Sequence, residues 1–179
     1  MKYKLLLHTC CAPCSPNIIS SLKPEFEITP LWFNPNIYPE QEYGNRLSAL
    51  KQYLSELQLP LIINNDYTAG QWIEHIENNN ITAEPDRCKF CYQLRLKKTV
   101  ELADSTGFTH FSTTLLSSPY QKHDLIKQTG ELLEKEYSIK FVYTDMRKDY
   151  FKGKDIIRLK KLYLQKYCGC KYTVNGLTG

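Results

Sequence analysis

Tyr3-Lys-Leu-Leu-Leu-His8, running directly into Thr9-Cys-Cys-Ala-Pro-Cys-Ser-Pro16, decides the architecture of this 179-residue chain. Three consecutive leucines in so short a run predict a strand buried on both faces, as in a parallel sheet. The cysteines behind it then occupy a strand-to-helix connection, stiffened by Pro13 and Pro16, with a helix opening near Asn17. The positive end of that helix would face the thiols. The same alternation repeats outward. Residues 26–33 form a second strand, with Pro30 an awkward member. Residues 39–57 form a helix whose Tyr43, Leu47, Leu50, Leu54 and Leu57 share one stripe. Residues 61–64 are a short third strand, and a helix spans roughly 72–79.

A helix over 91–106 places Tyr92, Leu96, Val100 and Ala103 on one face and ends at Gly107. A fourth strand follows at 108–115. Ser118-Pro119 opens a helix towards Tyr137 with proline in its first position. Residues 140–144 are a fifth strand, and a basic helix over 154–166 leads into Cys168. Strand–helix alternation of this kind predicts an α/β fold: a parallel sheet with helices on both faces. No repeat, low-complexity tract or linker interrupts it, so residues 1–179 are expected to form a single domain. Ligands in such sheets sit beyond the carboxyl ends of the strands. Cys10, Cys11 and Cys14, Asn34-Pro-Asn36, Thr113-Thr114 and Asp145 all fall there and could share one crevice.

The composition, 42% hydrophobic and 23% charged, is ordinary for a soluble globular chain, and no apolar run approaches the roughly 20 residues a membrane helix needs. The amino terminus faintly imitates a lipoprotein signal. Its apolar core is only Leu5 to Leu7, too short for an h-region of about 7–15 residues, so a cytoplasmic location is expected. The net charge of +4 is unevenly spread. Between Arg147 and Lys171 nine basic residues face only Asp149 and Asp155, a net +7 that leaves −3 for the remainder. Such a run is either a solvated face or a docking surface for phosphates, with Arg158, Lys160 and Lys161 as the expected contacts.

Seven cysteines fall into three tight groups: Cys10, Cys11 and Cys14; Cys88 and Cys91; Cys168 and Cys170. In a cytosolic chain such groups are metal ligands or redox catalysts rather than structural disulfides. Cys11, Cys14, Cys88 and Cys91 could close a zinc site, but that leaves three thiols over. An iron–sulfur centre also takes four thiolates, without a fixed spacing between pairs, and bare redox thiols are the third option. Cys168-Gly-Cys170 could form a small strained disulfide, with Gly169 supplying backbone freedom, or provide two more ligands.

Other residues carry two meanings each. Glu84-Pro-Asp-Arg87 reads as an exposed loop or a substrate loop. The hydroxyls of 112–120 suit an anion or simple helix capping. His8 is a buried, hydrogen-bonded strand histidine ahead of a ligand. Asp145 could bind a metal or supply a proton, or merely pair with Arg147. Tyrosines at 38, 43, 120, 143, 150, 163 and 167 could pack, or stack on a splayed base.

As a set, these residues resemble one family. Leu5-Leu-Leu-His-Thr-Cys-Cys-Ala-Pro-Cys-Ser15, Asn34-Pro-Asn-Ile37, Tyr43 and Arg46 are similar to its first third. Glu84-Pro-Asp-Arg-Cys-Lys-Phe-Cys91 with Arg95-Leu96, residues 111–120, Asp145-Met-Arg-Lys148 and Tyr167-Cys-Gly-Cys170 are similar to the rest. The family is the QueH-type epoxyqueuosine reductases. Met146 departs from it, standing where an aromatic is expected. The resemblance implies a sheet like that of the PP-loop ATPases (the HUP fold), with the cysteine loop in place of a phosphate loop and no use of ATP.

The resemblance also implies the chemistry: reduction of epoxyqueuosine to queuosine at the wobble position of a tRNA anticodon. Removing the epoxide oxygen to leave an alkene takes two electrons and two protons and releases water. By resemblance, Cys10, Cys11, Cys88 and Cys91 hold a [4Fe-4S] cluster and Cys168 with Cys170 form a redox-active disulfide pair. An additional iron is implied too, with Cys14 and Asp145 as its ligands. The partners are the tRNA and an electron donor that the residues do not identify. Two rivals are a zinc-stabilised RNA-binding module and a tRNA sulfur-transfer enzyme, which would need the missing phosphate loop.

Overall fold

Leu5, Leu6 and Leu7 are each 0% exposed at the centre of the sheet, because their strand is covered from both sides. The structure, a computed structural model, describes residues 2–64 and 67–173. The single-domain expectation for 174–179 therefore lies outside the described residues. Five strands run parallel: β1 (Tyr3–His8), β2 (Phe26–Trp32), β3 (Ile62–Ile63), β4 (His110–Thr113) and β5 (Lys140–Phe141). Their spatial order is β3-β2-β1-β4-β5. Leu5 and Leu7 pack with Ile18 and Ile19 of α1 (Ser15–Leu22), whereas Leu6 packs with Leu31 of β2 and Ala103 of α4 (Glu84–Ser105). Burying each leucine contributes about 1.5–3 kcal/mol. The parallel sheet with helices on both faces is therefore as expected.

The remaining helices are α2 (Glu40–Glu56), α3 (Ala69–Asn78), α5 (His123–Tyr137) and α6 (Tyr150–Leu159). The chain winds from β1 outward to β3, then crosses back to β4 on the other flank of β1. A switch of direction opens a crevice beyond the ends of the two central strands, here β1 and β4, where His8 is in register with Thr113.

Several boundaries differ from the sequence expectation, each for a local reason. Helix α4 begins at Glu84, seven residues before Cys91. Glu84-Pro-Asp-Arg87 is thus the first turn of a helix, not a loop: Pro85 needs no N–H partner there, and the two carboxylates favour the helix's positive end. Conversely, Ser118-Pro119 does not open α5. Ser118 is extended (φ −95, ψ 128), as the residue before a proline tends to be, and the helix waits until His123. Strand β4 stops at Thr113, whose side chain accepts from Leu115 N and caps a 3-10 turn at Thr114–Ser117. Strand β5 pairs over two residues only, and α3 begins at Ala69.

The basic helix ends at Leu159, and Lys161 follows with a left-handed φ of 57. It therefore does not run into Cys168. Residues 162–170 return over the crevice as irregular chain.

Candidate metal and redox centre

Six of the seven cysteines, all but Cys91, line one cavity of about 580 Å³ at the switch point. The first group hangs from the end of β1. Cys14 stands at the start of α1, and Ser15 Oγ closes the turn by donating to the Cys11 carbonyl at 2.8 Å. The hydroxyls after β4 hold this loop. Thr114 Oγ1 accepts from Cys10 N at 3.0 Å and lies 3.3 Å from its sulfur, while Ser117 Oγ donates to the Cys14 carbonyl at 2.6 Å. The run 112–120 thus grips the cysteine loop, a role the sequence reading missed.

The Cys10, Cys11 and Cys14 sulfurs lie within 4.8 Å of one another, and the first two are 3.5 Å apart. Such crowding shares protons unequally. Hydrogen bonds from Cys11 and Cys14 hold the Cys10 thiol well below its ordinary range. Burial pushes Cys11 up, and the contact with Cys10 pushes Cys14 up. The group therefore offers an anionic sulfur beside two that a metal would deprotonate.

Cys88 and Cys91 project from the first turns of α4. Burial pushes the Cys88 thiol up to about 11, with the nearby Cys168 sulfur adding to the effect. Cys168 is exposed at the cavity, with Gln121 Nε2 3.8 Å from its sulfur, whereas Cys170 is buried beside Thr173. The hydrogen bond from Cys170 draws the Cys168 thiol down to about 6. All seven sulfurs are free thiols in this structure.

The Cys168-Gly-Cys170 segment is held from α2. Arg46, 3% exposed, pairs with Glu42 at 2.6 Å and donates to the carbonyls of Tyr167 (2.8 Å) and Cys168 (3.1 Å). Tyr38 N donates to the Gly169 carbonyl at 2.8 Å. Gly169 adopts φ +115, which favours glycine, and a Cβ there would also crowd Arg46 Nη1 at 3.0 Å. His8 is fully buried, with Nδ1 2.8 Å from Thr113 Oγ1. Burial, then the Arg95 cation, push it down to about 3, so it is a neutral structural group.

Asn34 and Asn36 line the cavity, as do Tyr120, Tyr150 and Tyr167. Asp145 does not. Its carboxylate is clasped by Arg147 Nε at 2.9 and 3.1 Å and sits 3.9 Å from His123, so the structure brings Asp145 to Arg147 rather than to the cysteines. To act as ligand or proton donor it would first have to release Arg147. Of the basic segment, Lys154, Arg158 and Lys166 line the cavity, but Lys160 pairs with Glu56 and Lys161 lies outside the lining.

Two observations test whether a metal centre fits. The donors are soft sulfurs, most of them buried, gathered from three segments of the chain, which is the chemistry iron–sulfur and zinc sites require. In addition, Asn36 Oδ1, Gln165 Oε1 and Arg87 Nε are buried without a hydrogen-bond partner, and all three residues line the cavity. Buried polar atoms of that kind point to a ligand. The residues fit.

A doubly wound parallel sheet that brings three cysteine groups to its switch point defines a sulfur-lined α/β protein. Residues 5–176 match the model of the family described as epoxyqueuosine reductase QueH, and the chain belongs to that family. Among proteins of that name it is 36% identical to one from Dehalococcoides mccartyi, covering 97% of this chain and 93% of that protein. It is 28% identical to one from Thermotoga maritima, covering 95% and 90%. Against one from Streptococcus pyogenes serotype M1 the identity is 31%, covering 94% of this chain and 69% of that protein. The fold is also similar to a Methanocaldococcus jannaschii protein described as a predicted subunit of tRNA methyltransferase. That similarity has a TM-score of 0.56 at 11% identity over 87% of this chain and 74% of the other, and speaks for the fold alone.

Proposed function

We infer that this chain is an oxidoreductase that converts epoxyqueuosine to queuosine in the wobble position of tRNA. One observation carries the inference: a chain of this family directs cysteines from all three of its groups, six of the seven, into a single cavity large enough for a base. The centre we assign is a [4Fe-4S] cluster on Cys10, Cys11, Cys88 and Cys91, with Cys14 left for an additional iron. Such a centre supplies electrons one at a time. Cys168 and Cys170 are assigned the role of a thiol pair that exchanges two electrons, since the exposed member is easily deprotonated and the other is buried beside it.

The protein's own groups bind and orient. The target base must leave the anticodon stack to reach the sulfurs. Tyr120 and Tyr150, with ring centroids 5.8 Å apart at the cavity wall, offer it aromatic faces. The orphaned amides of Asn36 and Gln165 offer acceptors to its polar edge. Lys154, Arg158 and Lys166 would hold phosphates at the rim. Among the described residues no helix is long and apolar enough to cross a membrane. Free thiols and a tRNA substrate favour the cytoplasm, and a single domain over 1–179 would suffice. The electron donor is a further partner.

The test is anaerobic purification, counts of iron and acid-labile sulfide, and conversion of epoxyqueuosine-bearing tRNA with dithionite as reductant. Bound iron and sulfide with loss of one oxygen from the base is the expected result; zinc without iron and no conversion overturns it. That outcome would favour a second reading, a zinc-stabilised RNA-binding module, for which the mutual 4.8 Å spacing of Cys10, Cys11 and Cys14 is the one supporting observation.

The rim makes a separate prediction. Reversing Lys154, Arg158 and Lys166 together to Glu should weaken tRNA binding. It should also flatten the salt dependence by about 2–3 units of log K against log salt, since each lost phosphate contact removes about 0.7–0.9. Reversing Lys160 and Lys161 should change little. Equal effects from the two variants, measured at two salt concentrations, would mean that general charge rather than the cavity rim docks the RNA.

A further inference from the structure

A buried cation is ordinarily matched by a carboxylate, and Arg95 is not. It lies on α4 one turn beyond Cys91 and is 3% exposed. Its Nη2 donates to Asn34 Oδ1 at 3.1 Å, its Nε approaches His8 Nε2 at 3.3 Å, and its Nη1 points at the Cys91 sulfur at 3.4 Å. Asn34 is a neutral amide, itself fixed by donating to the Thr9 carbonyl at 2.9 Å. His8 is kept neutral by its burial. The groups that favour the charge of Arg95 are the sulfurs of Cys91, Cys10 and Cys168. Arg46, the arginine that grips the Cys168 segment, has Glu42.

A guanidinium cannot shed its proton to escape burial, as a lysine can. One enclosed by an amide and an imidazole therefore needs an anion close by. Here the loaded sulfur centre would be that anion. Asn34 and His8 fix the plane of the fork, so the charge cannot swing away to solvent.

We infer that Arg95 is the fixed counter-cation of the sulfur centre, making the loaded centre easier to reduce. This rests on the iron–sulfur assignment made above. Arg95 is a positioning residue: it touches the donor sulfur from behind. The physical basis is that reduction adds one negative charge to the centre. A cation held within a low-dielectric site stabilises the reduced form more than the oxidised one.

The experiment compares iron-loaded parent protein with Arg95→Gln and Arg95→Lys, titrated anaerobically with dithionite and followed by absorption and electron paramagnetic resonance. Glutamine keeps hydrogen bonding and removes the charge; lysine keeps the charge. The reduction equilibrium of Arg95→Gln is expected to shift at least tenfold against the reduced form, about 59 mV for one electron. Arg95→Lys should stay closer to the parent. Should the glutamine variant bind no iron while the lysine variant does, the requirement for charge is likewise upheld. An unchanged potential in Arg95→Gln overturns the inference, as do equal shifts in both variants or loss of iron from both with the fold intact by circular dichroism. A parent protein that binds no iron overturns the iron–sulfur assignment itself, before any variant is compared.

Discussion

Cys91→Ala is expected to leave the anaerobically purified protein without its brown chromophore, and Cys88→Ala to do the same. Each removes one of the four thiolates assigned to the cluster, and neither helix position offers a replacement donor. In Cys91→Ala the loss goes further, because Arg95 loses the sulfur it contacts at 3.4 Å and is left buried against neutral groups. An uncompensated buried charge costs about 3–5 kcal/mol. Cys91→Ala should therefore be less stable to urea than Cys88→Ala, whose site is only half buried. Iron and sulfide counts with a denaturation curve for each variant decide the matter. Full iron in either would remove that cysteine from the ligand set, and equal stability would show that Cys91 does not balance Arg95.

Cys168→Ser should behave in the opposite way, keeping the chromophore while turnover falls to background. Serine preserves the size of the side chain, the contact with Gln121 and the Arg46 clamp on the backbone, so the cavity should be undisturbed. What it removes is a thiol that the Cys170 hydrogen bond has drawn down to about 6. Below that value Cys168 is protonated, and above it the thiolate is present, so at neutral pH it should be the first cysteine alkylated in the parent protein. Peptide mapping after brief alkylation checks the assignment of reactivity, and single-turnover assays check the role. Loss of the chromophore in Cys168→Ser would make this residue a ligand instead.

The two variants also mark where sequence reasoning was strong and where it could not reach. The leucine run of β1, the strand–helix alternation and the three cysteine groups are local patterns, and local patterns survive folding. A run buried on both faces has to lie inside a sheet, and Gly107 with φ +77 ends α4 where the periodicity does. Boundaries failed at the two prolines. Pro85 opens a helix that was expected later, while the extended residue before Pro119 delays one that was expected earlier. In each case the proline's first-turn and preceding-residue effects compete, and tertiary packing chooses between them.

The sequence alone determined the core strand, the fold class and the placing of Cys10, Cys11 and Cys14 behind a strand end, because each depends on spacing along the chain. Only the tertiary structure decided which side chains meet. It brings Arg95 to the sulfurs although its one local clue, a cation four residues after Cys91, says nothing of a missing carboxylate. It returns residues 162–170 over the crevice under the grip of Arg46, turns Asp145 to Arg147, and selects Lys154, Arg158 and Lys166 from a uniformly basic segment for the cavity wall. Such meetings depend on strand order and on which buried charges must be compensated. Both are settled by burial between segments far apart in the chain, which no local periodicity records.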